Sequence, residues 1–177
     1  HNAGRLSEAE HIYQQILRRE PNQPNATHML GLLAYQVEKH ELAVELITRA
    51  LAIQPNLAEA HCNLGLALQA LGKLDEATVS YHKALALKPD YVEVYYNLGN
   101  TQKSLGKLTD AVASYQKVLT INPSYAEAHN NLATALLEQG GLNEAVVGFQ
   151  QAIKLQPDYL AAHSNLGIAL QELGCLE

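Results

Sequence analysis

Apolar and small residues recur along this chain at spacings of three and four. In residues 58–72, AEAHCNLGLALQALG, the positions Ala60, Leu64, Ala67, Leu68 and Leu71 form one stripe of an α-helix, and the glycine closes it. A second stripe, Ala77, Tyr81, Ala84 and Leu85, runs on until Pro89 stops it. Asp75, Thr109 and Asn143 stand where second helices of this kind need an N-cap. Asn56, Asp90, Ser124 and Asp158 stand where the next first helix begins. Glu59, Glu93 and Glu127 follow three residues later and complete capping boxes, whereas Ala161 leaves the fourth start with the cap alone. Helix pairs are therefore predicted, and no single pair can bury both of its faces.

The pairs repeat. Prolines fall at Pro21, Pro55, Pro89, Pro123 and Pro157, a constant step of 34 residues. Ala9, Ala43, Ala77, Ala111 and Ala145 keep the same register, as do Tyr13, Ile47, Tyr81, Tyr115 and Phe149, and Leu30, Leu64, Leu98, Leu132 and Leu166. Gly65, Gly99, Ala133 and Gly167 follow the later leucines, and Gly4, Gly72, Gly106, Gly140 and Gly174 recur at the inter-helix turn, with Glu38 as the exception. Residues 58–91 and 92–125 share 15 of 34 positions. Small residues in the Gly65 and Ala77 series predict close helix approach, and Tyr81 and its equivalents are expected to fill the gap against the next pair.

Composition narrows the function. A 47% hydrophobic content in 177 residues belongs to an ordered chain. Twelve Lys and Arg against eighteen Asp and Glu give a net charge of −6, which argues against nucleic acid and anionic membrane surfaces as partners. No apolar run reaches the ~18 residues a membrane span needs. Cys62 and Cys175 have no metal or redox spacing and suit a reducing, cytoplasmic location. His61, His129 and His163 share one repeat position, so successive copies stand about a helix diameter, ~10 Å, apart and cannot share a metal. They are expected to pack between helices. His28 and His82 lack a partner at a recognisable offset, and no phosphate loop or nucleophile elbow is present. No cofactor, metal or catalytic residue is assigned, and the chain is expected not to be an enzyme.

The 34-residue unit, with Leu-Gly in its first helix, then Ala, an aromatic, Ala and a closing Pro, resembles the tetratricopeptide repeat (TPR). The resemblance covers the whole chain. It implies an all-α, right-handed superhelical solenoid of antiparallel helix pairs: complete repeats at 24–57, 58–91, 92–125 and 126–159, a trailing part at 1–23 that is mostly second helix, and a leading part at 160–177 that is mostly first helix. Two departures stand out. The family's bulky aromatic in the first helix is here Thr27, His61, Tyr95, His129 and His163, and the 24–57 unit carries Glu38 and His40 where others have Gly and Leu.

The family lines its concave groove with first helices, and there Asn63, Asn97, Asn131 and Asn165 follow Met29 at one repeat position. Each amide offers a donor and an acceptor, a pairing that reads a peptide backbone and ignores its side chains. The line is similar to the asparagine ladder of O-linked N-acetylglucosamine transferase repeats, a likeness strengthened by the NLG context of Asn63, Asn97 and Asn165. The alternative is that asparagine is simply a common polar residue at this position. Tyr96, Asn100, Lys103, Asn130 and Thr134 complete the candidate peptide-binding groove, with Cys62, Leu66 and Gln69 one unit earlier. Tyr96 either anchors a ligand side chain or fills space. Helix capping is preferred over ligand contact for Glu59, Glu93 and Glu127. A carboxylate clamp is disfavoured, because Tyr96 replaces its lysine and Ala161 and Asn165 replace its later basic residues.

The expected role is a protein–protein interaction module that binds an extended peptide or protein segment. The alternatives are the substrate-recruiting arm of a transferase-like enzyme whose catalytic domain lies elsewhere, and a homo-oligomeric scaffold. Leu166, Ala169, Leu170 and Leu173 at one end, and Ile12, Tyr13, Ile16 and Leu17 at the other, are expected to lie bare. With no initiator Met, this suggests a piece of a longer array and possible head-to-tail self-association.

Overall fold

The computed structural model describes residues 2–174, and side chains from Leu6 onward; Cys175 lies outside the described residues. Among them the chain runs as α1 (Asn2–Arg19), α2 (Pro24–Gln36), α3 (His40–Ile53), α4 (Ala58–Ala70), α5 (Leu74–Leu87), α6 (Val92–Ser104), α7 (Leu108–Ile121), α8 (Ala126–Glu138), α9 (Leu142–Leu155) and α10 (Leu160–Glu172). No strand occurs among the described residues. Two compact units are formed, one up to Pro89 and one from Asp90. In the first, α1 packs on α2, α2 on α3, α3 on α4 and α4 on α5; in the second, α6 packs on α7, α7 on α8, α8 on α9 and α9 on α10.

Each core is built where the alanine and aromatic series meet. Ala43, Ile47, Ala77, Tyr81, Ala111, Tyr115, Ala145 and Phe149 are all fully buried. A Cβ added at Gly65 would stand 2.4 Å from the Tyr81 ring, and one at Gly99 2.6 Å from the Tyr115 ring, so each ring lies directly on the glycine of its own helix pair. The repeat pattern predicts that these aromatics fill the gap to the next pair, and they also pack within their own pair. Tyr115 does both, since it also clusters with Ala135 of α8. In the α8–α9 pair the allocation reverses. Ala133 replaces the first-helix glycine, and Gly148 makes room for it, where an added Cβ would come within 2.7 Å of the Ala133 Cβ.

Helix ends differ from the sequence expectation. No side-chain cap hydrogen bond occurs at the start of α3 to α10. First helices begin after Leu57, Tyr91, Tyr125 and Tyr159, which puts Asn56, Asp90, Ser124 and Asp158 one residue too early to cap. Second helices begin at Leu74, Leu108 and Leu142, which carries Asp75, Thr109 and Asn143 into the first turn. The reason is the turn itself. Gly72, Gly106 and Gly140 adopt φ of 72°, 71° and 85°. The residue after each donates back across the turn, as Lys73 N does to Leu68 O at 2.9 Å, and the chain enters the next helix without an extended capping residue. Glu38 makes the same turn at φ 60°, with Lys39 N on Ala34 O at 2.9 Å.

Of the three repeat-position histidines expected to pack between helices, His61 is buried, His129 partly buried and His163 exposed, but all three make the same hydrogen bond. His61, His129 and His163 each place Nε2 2.9 Å from the carbonyl of the proline six residues earlier, Pro55, Pro123 and Pro157. A carbonyl only accepts, so Nε2 carries the proton. At the ends, Ala169 is fully buried with Phe149 and Leu166 packs on the same cluster. Leu170 and Leu173 are partly buried, so this stripe is better covered than expected, and the large exposed apolar residues of α10 are Leu160 and Ile168. On α1, Ile12 is exposed, while Tyr13, Ile16 and Leu17 are partly buried.

Candidate peptide-binding face

In the second unit the asparagines do not stand alone. Asn131 on α8 donates both amide hydrogens backwards to α6, to the Tyr96 hydroxyl at 3.1 Å and to Asn100 Oδ1 at 2.9 Å. Its own Oδ1 accepts from Asn130 Nδ2 at 3.1 Å, and Asn165 on α10 donates to Asn130 Oδ1 at 3.0 Å. From the core side, the buried Tyr115 hydroxyl donates to Asn100 Oδ1 at 2.7 Å. A buried tyrosine needs such a partner, and Asn100 supplies it. Phe149, the equivalent residue one pair later, needs none, and Thr134 at the Asn100 position donates instead to the Asn130 carbonyl at 2.9 Å.

The network thus gathers Tyr96, Asn100, Asn130, Asn131 and Asn165, and leaves Asn97, Lys103 and Thr134 outside its side-chain bonds. Asn97 is partly exposed, and among the described residues its side chain makes no hydrogen bond. Lys103 is partly exposed one turn beyond Asn100 on α6. Asn130 is only 5% exposed, so it supports the face more than it forms it.

The first unit handles the same position differently. Asn63 Nδ2 lies 2.9 Å from His28 Nε2, and because the amide NH₂ only donates, that imidazole nitrogen is the unprotonated one. Burial lowers the His28 pKa, opposed by the nearby Glu59 carboxylate. Gln69 accepts the Tyr81 hydroxyl at 2.9 Å, in the role Asn100 has for Tyr115. The repeat register already puts His28 on the groove face, at the position of Cys62, Tyr96, Asn130 and Ser164, but it did not reveal Asn63 as its partner.

A second feature also escaped sequence reasoning. Tyr125, at the start of α8, stacks on Tyr96 with ring centroids 5.0 Å apart and planes 21° apart. Tyr96 meets Tyr115 obliquely on another side, at 6.2 Å and 59°. Burial raises the Tyr96 pKa; the Asn100 hydrogen bond pulls it back, Glu127 raises it, and Asn131 lowers it. Burial also raises Tyr125 and Tyr159, each further raised by the charges of Tyr96 and Glu127, and Tyr125 by Glu93 as well. Glu59 and Glu127 act electrostatically on His28 and Tyr96, and with the caps at Leu57 and Tyr125 they fall one position short of the expected capping box.

Among the described residues no group of three or more His, Cys, Asp or Glu is placed to hold a metal, and no helix is long and apolar enough to cross a membrane.

The crystal structure of MamA is 26% identical to this chain, covers 88% of it and 91% of its own length, and superimposes with a TM-score of 0.83. YrrB, described as a TPR protein with an unusual peptide-binding site, is 21% identical over 92% of this chain and 84% of its own, with a TM-score of 0.81. MamA 41-end from Desulfovibrio magneticus RS-1 is 20% identical over 94% of this chain and 86% of its own, at 0.77. The last two likenesses concern the fold alone. No curated protein matches the chain. The TPR repeat model matches residues 31–72, 70–106, 103–140 and 134–174, so the chain belongs to the tetratricopeptide repeat family, whose members are protein–protein interaction modules.

Proposed function

We propose that this chain, with repeats at 24–57, 58–91, 92–125 and 126–159, is a non-enzymatic interaction module that takes an extended polypeptide along α6, α8 and α10. The observation that supports it is the amide network on α6, α8 and α10. Asn131, Asn130 and Asn100 hold one another in fixed orientation, so the polar face is ordered before any ligand arrives. Asn97 keeps both its donor and its acceptor, and Asn165 uses a single N–H. These are the groups that remain for a peptide backbone, while Asn131 positions them more than it reads.

Asn97→Ala with Asn165→Ala tests the proposal, because together they remove one internal hydrogen bond and leave the Tyr96–Asn131–Asn100 set intact. The fold should survive by circular dichroism. On an array of extended twelve-residue peptides, the variant should retain peptides about tenfold less well than wild type, from two lost hydrogen bonds at ~0.5–1.5 kcal/mol each. Equal binding by both, or none by wild type, contradicts it. The NLG context of Asn63, Asn97 and Asn165 favours one alternative, the recruiting arm of an O-linked N-acetylglucosamine transferase-like enzyme. A glycosyltransferase domain encoded downstream of Glu177 would identify it.

A further inference from the structure

The second unit carries an aromatic and acidic ledge that adjoins the amide network and meets it only through the Tyr96 hydroxyl. Tyr125 and Tyr96 are stacked and both partly exposed, so their outer surfaces form one continuous aromatic step. Glu127 is exposed on α8 one turn before Asn131, on the same face, and Asn131 is hydrogen-bonded to Tyr96. That geometry sets the Glu127 carboxylate beside the tyrosine step. Tyr159, at the start of α10, and Glu93, in the first turn of α6, repeat the two residue types one position either side.

We propose that this ledge binds the cationic side chain, Arg or Lys, of the polypeptide received along the neighbouring asparagines, with the cation over the Tyr125 and Tyr96 rings and Glu127 as its counter-charge. The inference rests on the peptide-binding reading and adds a side-chain preference to it. A cation over a tyrosine face gains from the ring quadrupole, most where water is partly excluded. Glu127 alone would be a weak lure, because the helix N-terminus already offsets part of its charge. The rings supply what the carboxylate lacks. Tyr96 is also held in place by hydrogen bonds and by contact with Tyr115, so no ring order has to be created on binding.

The ledge is confined to one place in the array. In the first unit the residues equivalent to Tyr125 and Tyr96 are Leu57 and His28, and His28 is bonded to Asn63, so Glu59 has no stacked tyrosine pair beside it. Asparagines read a backbone without regard to sequence, and a lone cation site next to them would fix the register of the bound segment. Charge agrees, since a chain at −6 attracts basic segments.

The test uses Tyr125→Leu, which keeps an apolar contact on Tyr96, and Glu127→Gln at an exposed position. Wild type should enrich array peptides that contain Arg or Lys over otherwise identical peptides with Gln there. Each variant should cut that enrichment about tenfold while still retaining peptides in general. General retention with no basic preference in wild type, or with the preference unchanged in both variants, overturns the ledge and leaves the peptide-binding reading standing. If wild type retains no peptide, that reading falls, and acetyl-arginine amide decides the ledge: NMR shifts at Tyr125 and Glu127, lost in Glu127→Gln, sustain it, and no shift at millimolar concentration overturns it.

Discussion

Single residues set the conditions under which these helix pairs persist. Glu38 occupies a left-handed turn position that Gly72, Gly106 and Gly140 fill elsewhere. A side chain there costs ~1–2 kcal/mol, so Glu38→Gly should raise stability by about 1 kcal/mol and the thermal midpoint by ~2–4 °C. A calorimetric scan showing no gain would mean the turn is held by something other than backbone preference. His61 carries the opposite kind of constraint. Its Nε2–H is bound to Pro55 O, and its buried Nδ1 has no partner, so a second proton would be buried without an acceptor. Burial accordingly lowers its pKa, with the Pro55 bond opposing and Lys83 assisting. Both His61 and His28 are lowered in the folded state, so below pH ~6.5 the unfolded chain binds protons first. Their contribution is complete above that pH and is lost as pH falls through their folded values. Melting midpoints should drop between pH 7 and pH 5, and His61→Gln should flatten part of that slope.

Helix pairs show why a repeat can be read from sequence more easily than its contacts. The 34-residue period located the helices of the described residues, because the periodic alanines and aromatics are the residues whose burial drives pairing and the prolines end the pairs. What the period could not show is which contact each small residue serves. Gly99 exists to receive the Tyr115 ring, not merely to bring two backbones together. Gly99→Ala should therefore destabilise by ~1–3 kcal/mol, the range for overpacking a filled core, while the equivalent Gly167→Ala should be near neutral because nothing stands within 4 Å of its would-be Cβ. Denaturant midpoints of the two variants distinguish these outcomes. Caps were misread for a related reason. Asn56 and Asp75 are good capping residues by type, but the turn geometry places helix starts elsewhere, and one residue of offset is enough to lose the bond.

Across the molecule, the candidate site was legible as a line of residue types and illegible as a network. The asparagine series is visible at a fixed spacing, but its partners are not. Asn63 meets a histidine and Asn131 meets a tyrosine and an asparagine, because the preceding repeat differs at that point. Tyr125 was hidden because it belongs to no groove position of the repeat, and its contact with Tyr96 reaches back 29 residues. The two units consequently present different chemistry from one repeat: an amide–imidazole pair in the first, an amide network beside a tyrosine step in the second. The most direct measurement is the side-chain amide NMR spectrum of the ¹⁵N-labelled chain, titrated with a degenerate pool of twelve-residue peptides. The account predicts that the Asn97, Asn131 and Asn165 NH₂ resonances shift together, with smaller changes on α7 and α9. Shifts confined to α7 and α9, or none at millimolar peptide, would contradict it.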